Sequence, residues 1–337
     1  MGAALRLAAL SIALLVSPLT SYALVFASPD TEPKSEAPSD FPYWEHVTQR
    51  RYEGPSVVYL GEGFAMTARH VGMGEIFLAG EIYEPVRGSG HSLLNPNGGI
   101  ADAMIFELDR EKAIPDWPLI PIADAPPKRG EDLLLIGFGR GRQRVVQFEA
   151  DGDTHFSFKW TRKGQKRWGT NRVSNPVELM VQNRFATRAF TFNFDAPFAK
   201  NSTRYEAQAA VGDSGGGVFV KRDGEWQLLG LMVSVSGDSR APDAGSVYGD
   251  RTYAVDLTQY RDEIFRWTRT ACSNEVDDDQ DGLIDYPLDP GCDGPLDRSE
   301  HDSGPSPQDA FGIAAAALLG IFVVLGFAWR RARANRA

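Results

Sequence analysis

Gly212-Asp213-Ser214-Gly215-Gly216-Gly217, running on into Val218-Phe219-Val220, decides how this chain is to be understood. A serine hydroxyl becomes a nucleophile where a tight turn exposes it and aims backbone N–H groups at one point, and glycines permit that backbone path. A glycine-rich turn that merely contains a polar serine has the same letters. Partners elsewhere in the chain must therefore separate the two.

Those partners lie upstream. Thr67-Ala68-Arg69-His70 follows the strand-like stretch from Val57 to Met66, and Ala101-Asp102 opens the apolar run Ala103–Leu108. The order His, Asp, Ser is one of the chain orders in which a catalytic triad occurs. The same glycine-serine letters fit the nucleophile elbow of α/β-hydrolases, which needs its Asp and His after the serine. Here only His301 follows, inside an acidic tail, so that alternative fails. His46, His91 and His155 have no such setting and are expected at the surface or in loops.

Over about Pro55 to Thr268 the chain resembles the trypsin-like (chymotrypsin-clan) serine peptidases of the bacterial secreted type. Thr67–His70 resembles their Thr-Ala-Ala-His block, and Asp102 with its apolar strand resembles Asp-Ile-Ala-Leu-Leu. Gly212–Gly216 is their Gly-Asp-Ser-Gly-Gly block unchanged, and Gly137-Phe138-Gly139 matches the Gly-x-Gly turn after a central strand. The resemblance implies an all-β fold of two packed antiparallel six-stranded β-barrels with a C-terminal helix. It also implies a serine endopeptidase acting on protein or peptide substrates, with no cofactor for catalysis. His70, Asp102 and Ser214 would be the triad, and the N–H groups of Gly212 and Ser214 the oxyanion hole. Gln208 would form the base of the substrate pocket and Ser234, Val235 and Ser236 its wall. A neutral pocket is expected, and a basic preference supplied by Asp250 is the alternative. No Ile-Val-Gly-Gly-like sequence precedes the first strand, so the amine that pairs with the Asp before the nucleophile (here Asp213) in zymogen-type members has no trypsin-type cleavage signal. Two rival readings remain: a triad-bearing esterase, and a non-catalytic calcium-dependent surface binding or adhesion module.

Composition agrees with a loop-rich β body. The 337 residues are 42% apolar and 24% charged, which excludes a disordered polyampholyte, and the 34 Gly and 21 Pro recur without the period of collagen. Short apolar runs bounded by turn residues read as strands: Val57–Leu60, Glu75–Leu78, Ala103–Leu108, Leu133–Phe138, Val177–Val181, Val218–Val220 and Trp226–Val235. Helical periodicity is confined to Leu257–Thr268, with Tyr260, Ile264 and Trp267 on one stripe. Arg140 to Arg172 holds nine basic and three acidic residues with two tryptophans, and reads as a solvated loop with no role in nucleic-acid binding.

The net charge of −10 belongs to one segment. From Cys272 to Asp309 twelve acidic residues face one basic one, a net of −11, so the remainder sums to about +1. Within residues 272–302, Asp277, Asp279, Asp281 and Asp285 take loop positions 1, 3, 5 and 9 of a calcium loop. Gly282 supplies its sharp turn, and Leu283 follows at position 7 as a backbone ligand. Leu288 stands where an EF-hand has its bidentate Glu, so the segment is instead similar to the short aspartate-rich calcium repeats of extracellular proteins. Cys272 and Cys292 flank the loop, and outside the cytoplasm they are expected to form a disulfide.

The ends address the chain to a membrane. Leu5 to Leu19 is apolar apart from Arg6 and two Ser, and it is followed by Ser21-Tyr22-Ala23 and Val25-Phe26-Ala27. This reads as a secretory signal peptide, residues 1–27, cut after Ala23 or Ala27. A linker over 28–41 leads to the body, residues 42–271, and a second linker covers 303–310. Phe311–Trp329 is uncharged and long enough to span a bilayer, and the basic tail 330–337 places the C-terminus in the cytoplasm. The tail resembles bacterial C-terminal sorting tails, which implies a sorting machinery as a partner, although the Pro-Glu-Pro box and the Cys of two such families are missing. The chain is thus expected to be exported, anchored in a bacterial membrane and facing the periplasm or cell surface.

Overall fold

Leu133 and Leu135, Phe190 and Phe192, and Val218 and Val220 recur at the period of a strand, and all six fall in one buried cluster. They line a closed six-stranded barrel. Its strands, in spatial order, are Arg167–Gln182, Phe185–Asn193, Arg251–Asp256, Glu225–Val235, Gly217–Arg222 and Asp132–Gly137, each antiparallel to its neighbours. Closure leaves no strand edge exposed. The computed structural model describes residues 23–28, 35–51, 54–238, 240–241, 245–292, 294, 297 and 299–301.

The first half of the body is a five-stranded antiparallel sheet in the order Val47–Gln49, Ser56–Gly61, Phe64–Thr67, Ile100–Glu107, His91–Leu94. A hairpin of Ile76–Leu78 and Glu81–Tyr83 joins it through a bridge between Arg50 and Ile76. Val57, Tyr59, Ala65, Ile76, Phe106 and Leu108 form its core. Two six-stranded barrels were expected; among the described residues one closes and this sheet stays open.

Further expectations change. The basic stretch is no loop: Arg140–Ala150 and Asp153–Gly164 pair as a long ribbon turning at Asp151-Gly152, both at positive φ. Asp-Gly is a hairpin signal, and the charges between the apolar residues masked it. His46 is buried rather than superficial. Its Nδ1 lies 2.8 Å from the Tyr59 carbonyl, its ring stacks on Tyr59, and burial pulls its pKa down to about 4. His91 lies on an edge strand and His155 on the ribbon, stacked on Phe148.

The helix spans Arg261–Thr268 after a 3-10 turn at Leu257–Gln259. Tyr260 and Ile264 are buried as expected, whereas Trp267 is half exposed and Phe265 and Thr268 are buried in its stead. The chain divides into two units between Arg261 and Asp262. Residues 311–329 lie outside the described residues, among which no helix is long and apolar enough to cross a membrane.

Residues 23–27, read as the end of the leader, are buried in the body. Val25–Phe26 pairs with Ala207–Gln208, and Leu24 and Phe26 belong to the barrel core.

Candidate active site

Strand pairing brings the first two predicted residues together. Thr67 pairs with Met104, so the turn that follows Thr67 lies beside the residues just before Met104. Thr67 Oγ1 donates to the Ser56 carbonyl at 2.8 Å, ending the strand, and the N–H groups of Val71 and Gly72 return to the Ala68 carbonyl. The resulting turn presents His70 against Asp102. The His70 backbone N–H donates to Asp102 Oδ1 at 2.9 Å, and ring Nδ1 lies 2.7 Å from Oδ2. A carboxylate offers only lone pairs, so this contact favours the tautomer with its proton on Nδ1. The Asp102 side chain is 3% exposed and that of His70 39%. Asp102 is held from the barrel side as well, its N–H donating to Thr187 Oγ1 at 2.9 Å.

The serine loop is fixed through its backbone. Asp213, Gly215 and Gly216 donate their N–H groups to Ala210, Met232 and Asp213 carbonyls at 2.8–3.0 Å. Between them, the N–H groups of Gly212 and Ser214 have no acceptor among the described residues. Two free donors beside one serine, in a loop whose other N–H groups are taken, match the requirement for stabilising an oxyanion. Gly215, at φ +83°, presses on the strand that leads to His70: a Cβ there would stand 2.2 Å from both Thr67 Oγ1 and the Ser56 carbonyl. The loop and the histidine turn are therefore in direct packing contact. Ser214 itself is half-buried, and its hydroxyl makes no hydrogen bond among the described residues. Catalytic hydrogen bonds often tighten only when substrate binds.

Asp213 anchors the loop from inside. It is fully buried; Oδ1 accepts from the Gly139 N–H at 2.7 Å, and Oδ2 accepts from Ala210 at 2.9 Å and Leu24 at 3.3 Å. Burial pushes its pKa up to about 7, which those three N–H groups only partly offset. A Cβ on Gly137 would stand 2.1 Å from Asp213 Oδ1 and one on Gly139 2.5 Å from its Cγ, so the Gly-x-Gly turn exists to admit this side chain. The sequence signalled those glycines, but nothing in it signalled Leu24, Thr187 or Ser56. Ser56 ties the parts together, giving its N–H and hydroxyl to the Gly212 carbonyl and accepting from the Phe138 N–H.

Gln208 is buried, and its side-chain amide makes no well-formed hydrogen bond, although it lies near enough to Asp250 to lower that carboxyl's pKa. Asp250 is buried, accepts from the Val247 N–H at 2.9 Å and is raised by burial to about 6. Ser234 and Val235 lie on a bulged barrel strand beside Tyr253 and Thr252, and Ser236 exchanges two 2.7 Å hydrogen bonds with the Arg251 backbone.

In the acidic segment Cys272 and Cys292 are joined in a disulfide. Asp277, Asp279 and Asp281 bring carboxylate oxygens within 4.8 Å of one another. Asp285 is not brought in: its two oxygens accept from the N–H groups of Asn274 and Glu275. Leu283 gives its N–H to Asp281. The trio accepts backbone N–H groups as well, Asp277 from Gln280 and Gly282, Asp279 from Asp281 and Asp281 from Leu283, so it is the proximity of their oxygens that sets the three apart from Asp285.

No protein-family model matches the chain, and no curated protein does either. Among solved structures it is similar to the Rv3671c protease in its inactive form, at 16% identity over 64% of this chain and 86% of that one, with a TM-score of 0.37. It is also similar to a mutant of human heparin binding protein (14%, 69% and 94%, 0.45). A third is mouse neuropsin, a serine protease (14%, 69% and 97%, 0.42).

Proposed function

We propose that this chain is an exported serine endopeptidase. The observation that carries the reading is the His70–Asp102 pair set beside a serine loop whose two unspent N–H groups flank Ser214. Ser214 Oγ attacks a peptide carbonyl while His70 Nε2 takes its proton. Asp102 holds the imidazole tautomer and stabilises its charged form. The N–H groups of Gly212 and Ser214 receive the developing oxyanion, each worth roughly 3–4 kcal/mol of barrier. His70 returns the proton to the leaving amine, and water then releases the acyl group along the same path.

The N-terminal segment supports export with a cut after Ala23 in preference to Ala27, since the later cut would remove the strand Val25–Phe26 and the core residues Leu24 and Phe26. The earlier cut would leave the α-amine of Leu24 beside Asp213, the pairing that the family resemblance implies. The apolar run 311–329 would hold the enzyme at a membrane. The oxygen-only trio Asp277, Asp279 and Asp281 fits a calcium ion as a structural ligand. Gln208 with Asp250 behind it favours substrates with a long polar or basic side chain.

Labelling with a fluorophosphonate probe tests the enzymatic reading. The exported chain should react at neutral pH and Ser214→Ala should not. A folded wild-type chain that stays unlabelled would leave the binding-module reading in place.

A further inference from the structure

The acidic segment holds a second pair of carboxylates, away from the loop trio. Asp289 and Glu300 are 2% and 1% exposed, and they bring carboxylate oxygens within 4.8 Å of each other. The Cys292 sulfur beside them is spent in the disulfide and is no ligand. Glu300 is held by the backbone, Oε1 accepting from Asp285 and Oε2 from Asp278. Asp289 Oδ1 accepts from the Gly291 N–H at 2.6 Å, whereas Oδ2 is buried without a hydrogen-bond partner among the described residues.

Two buried carboxylates this close repel unless a positive charge or a shared proton lies between them. Among the described residues nothing satisfies the buried Asp289 Oδ2. The basic groups described nearby are engaged elsewhere: Arg266 with Asp278, Arg269 with Glu275 and His301 with Asp279. A calcium ion bonds oxygens at roughly 2.3–2.6 Å, so two ligands across one ion stand at most about 5 Å apart. Oxygen donors alone, with no usable sulfur or imidazole, select a hard cation.

We propose that Asp289 and Glu300 seat a calcium ion that is distinct from any ion in the Asp277–Asp281 loop and that consolidates the disulfide-closed segment. The orphaned Oδ2 and one Glu300 oxygen supply its two charged ligands, and water or backbone carbonyls complete the shell. Because Glu300 also receives the N–H groups of Asp278 and Asp285, filling this seat orders both ends of the aspartate loop.

Calorimetric titration of the whole exported, chelator-treated chain with Ca²⁺, using Mg²⁺ as the competing ion, reads the site. Asp289→Asn and Glu300→Gln should each weaken one binding event by at least about tenfold and the other by a smaller factor. Asp281→Asn should do the reverse, and Asp262→Asn should change neither. Hydrogen exchange on the wild type supplies a readout that needs no variant: amides in 272–300 should gain protection with Ca²⁺ and lose it with chelator. Unchanged binding in both Asp289→Asn and Glu300→Gln, or a wild type whose exchange ignores Ca²⁺, overturns the proposal. Neither result depends on the peptidase activity.

Discussion

The two units of this chain are held together by different physics. The body rests on buried apolar side chains, with Phe190, Phe192, Val218 and Met232 at the centre of a closed barrel. In the acidic segment the buried residues include Asn274, Asp289 and Glu300 beside the disulfide, and its order comes from carboxylates that accept backbone N–H groups. A core of hydrocarbon tolerates changes of salt and metal. A core of carboxylates depends on what neutralises it. The body can therefore hold the His70–Asp102 contact on apolar packing alone, whereas the segment holds its loop through buried carboxylates.

The strongest way to break that contrast is in the barrel. Phe190→Ala should cost about 3–5 kcal/mol and lower the melting temperature of the body. Hydrogen exchange in 272–300 should not change with it; a parallel loss would show that the units do not fold independently.

Asp213 sharpens the contrast, because it places a buried carboxylate inside the apolar unit. Its pKa is raised from 3.8 to about 7. Below about pH 4 it is protonated in folded and unfolded chains alike. Between about 4 and 7 only the folded chain keeps the proton, so stability falls as pH rises, by up to about 1.4 kcal/mol per pH unit. Glu206 and Asp250, also raised by burial, add in the same direction, whereas His46, lowered to about 4, opposes them below its ordinary value of 6.5. Comparing the 337-residue chain with one that begins at Leu24 isolates Asp213, since the other groups cancel. In the second chain an ammonium beside Asp213 should flatten or reverse the slope; identical slopes in thermal melts would refute the pairing.

Replacing Cys272 and Cys292 together by Ser should cost the segment about 3 kcal/mol, from the chain entropy of a loop of this size. The body's melting temperature should hold. Smallest of all, Arg269→Ala removes a guanidinium 3.6 Å above the Phe265 ring and its bond to Glu275, and should cost about 0.5–1 kcal/mol. A value several times larger would mean that the segment rests on charge pairs more than on its buried carboxylates.

How much could be read in advance depended on whether a residue's role is local. Apolar runs at period two announced the barrel strands because one buried face demands them, and the glycines around Ser214 were legible because a tight turn demands them. The ribbon Arg140–Gly164 was not, since its strands carry exposed charges between apolar residues. Leu24, Ser56 and Thr187 sit among ordinary residues and gained their roles only by meeting Asp213, Gly212 and Asp102 across 189, 156 and 85 positions of chain.

Sequence alone determined the chemistry available: a serine among glycines, a histidine and an aspartate in workable order, and carboxylates at loop spacing. Residue type and short-range backbone preference are properties of a few neighbouring letters. Tertiary structure decided, among the described residues, which N–H groups stay unspent at Gly212 and Ser214, which carboxylate is buried without a counter-charge, and that residues 23–27 belong to the body. Those outcomes depend on hydrogen bonds and exclusion of water between segments far apart in the chain, and no local pattern encodes them.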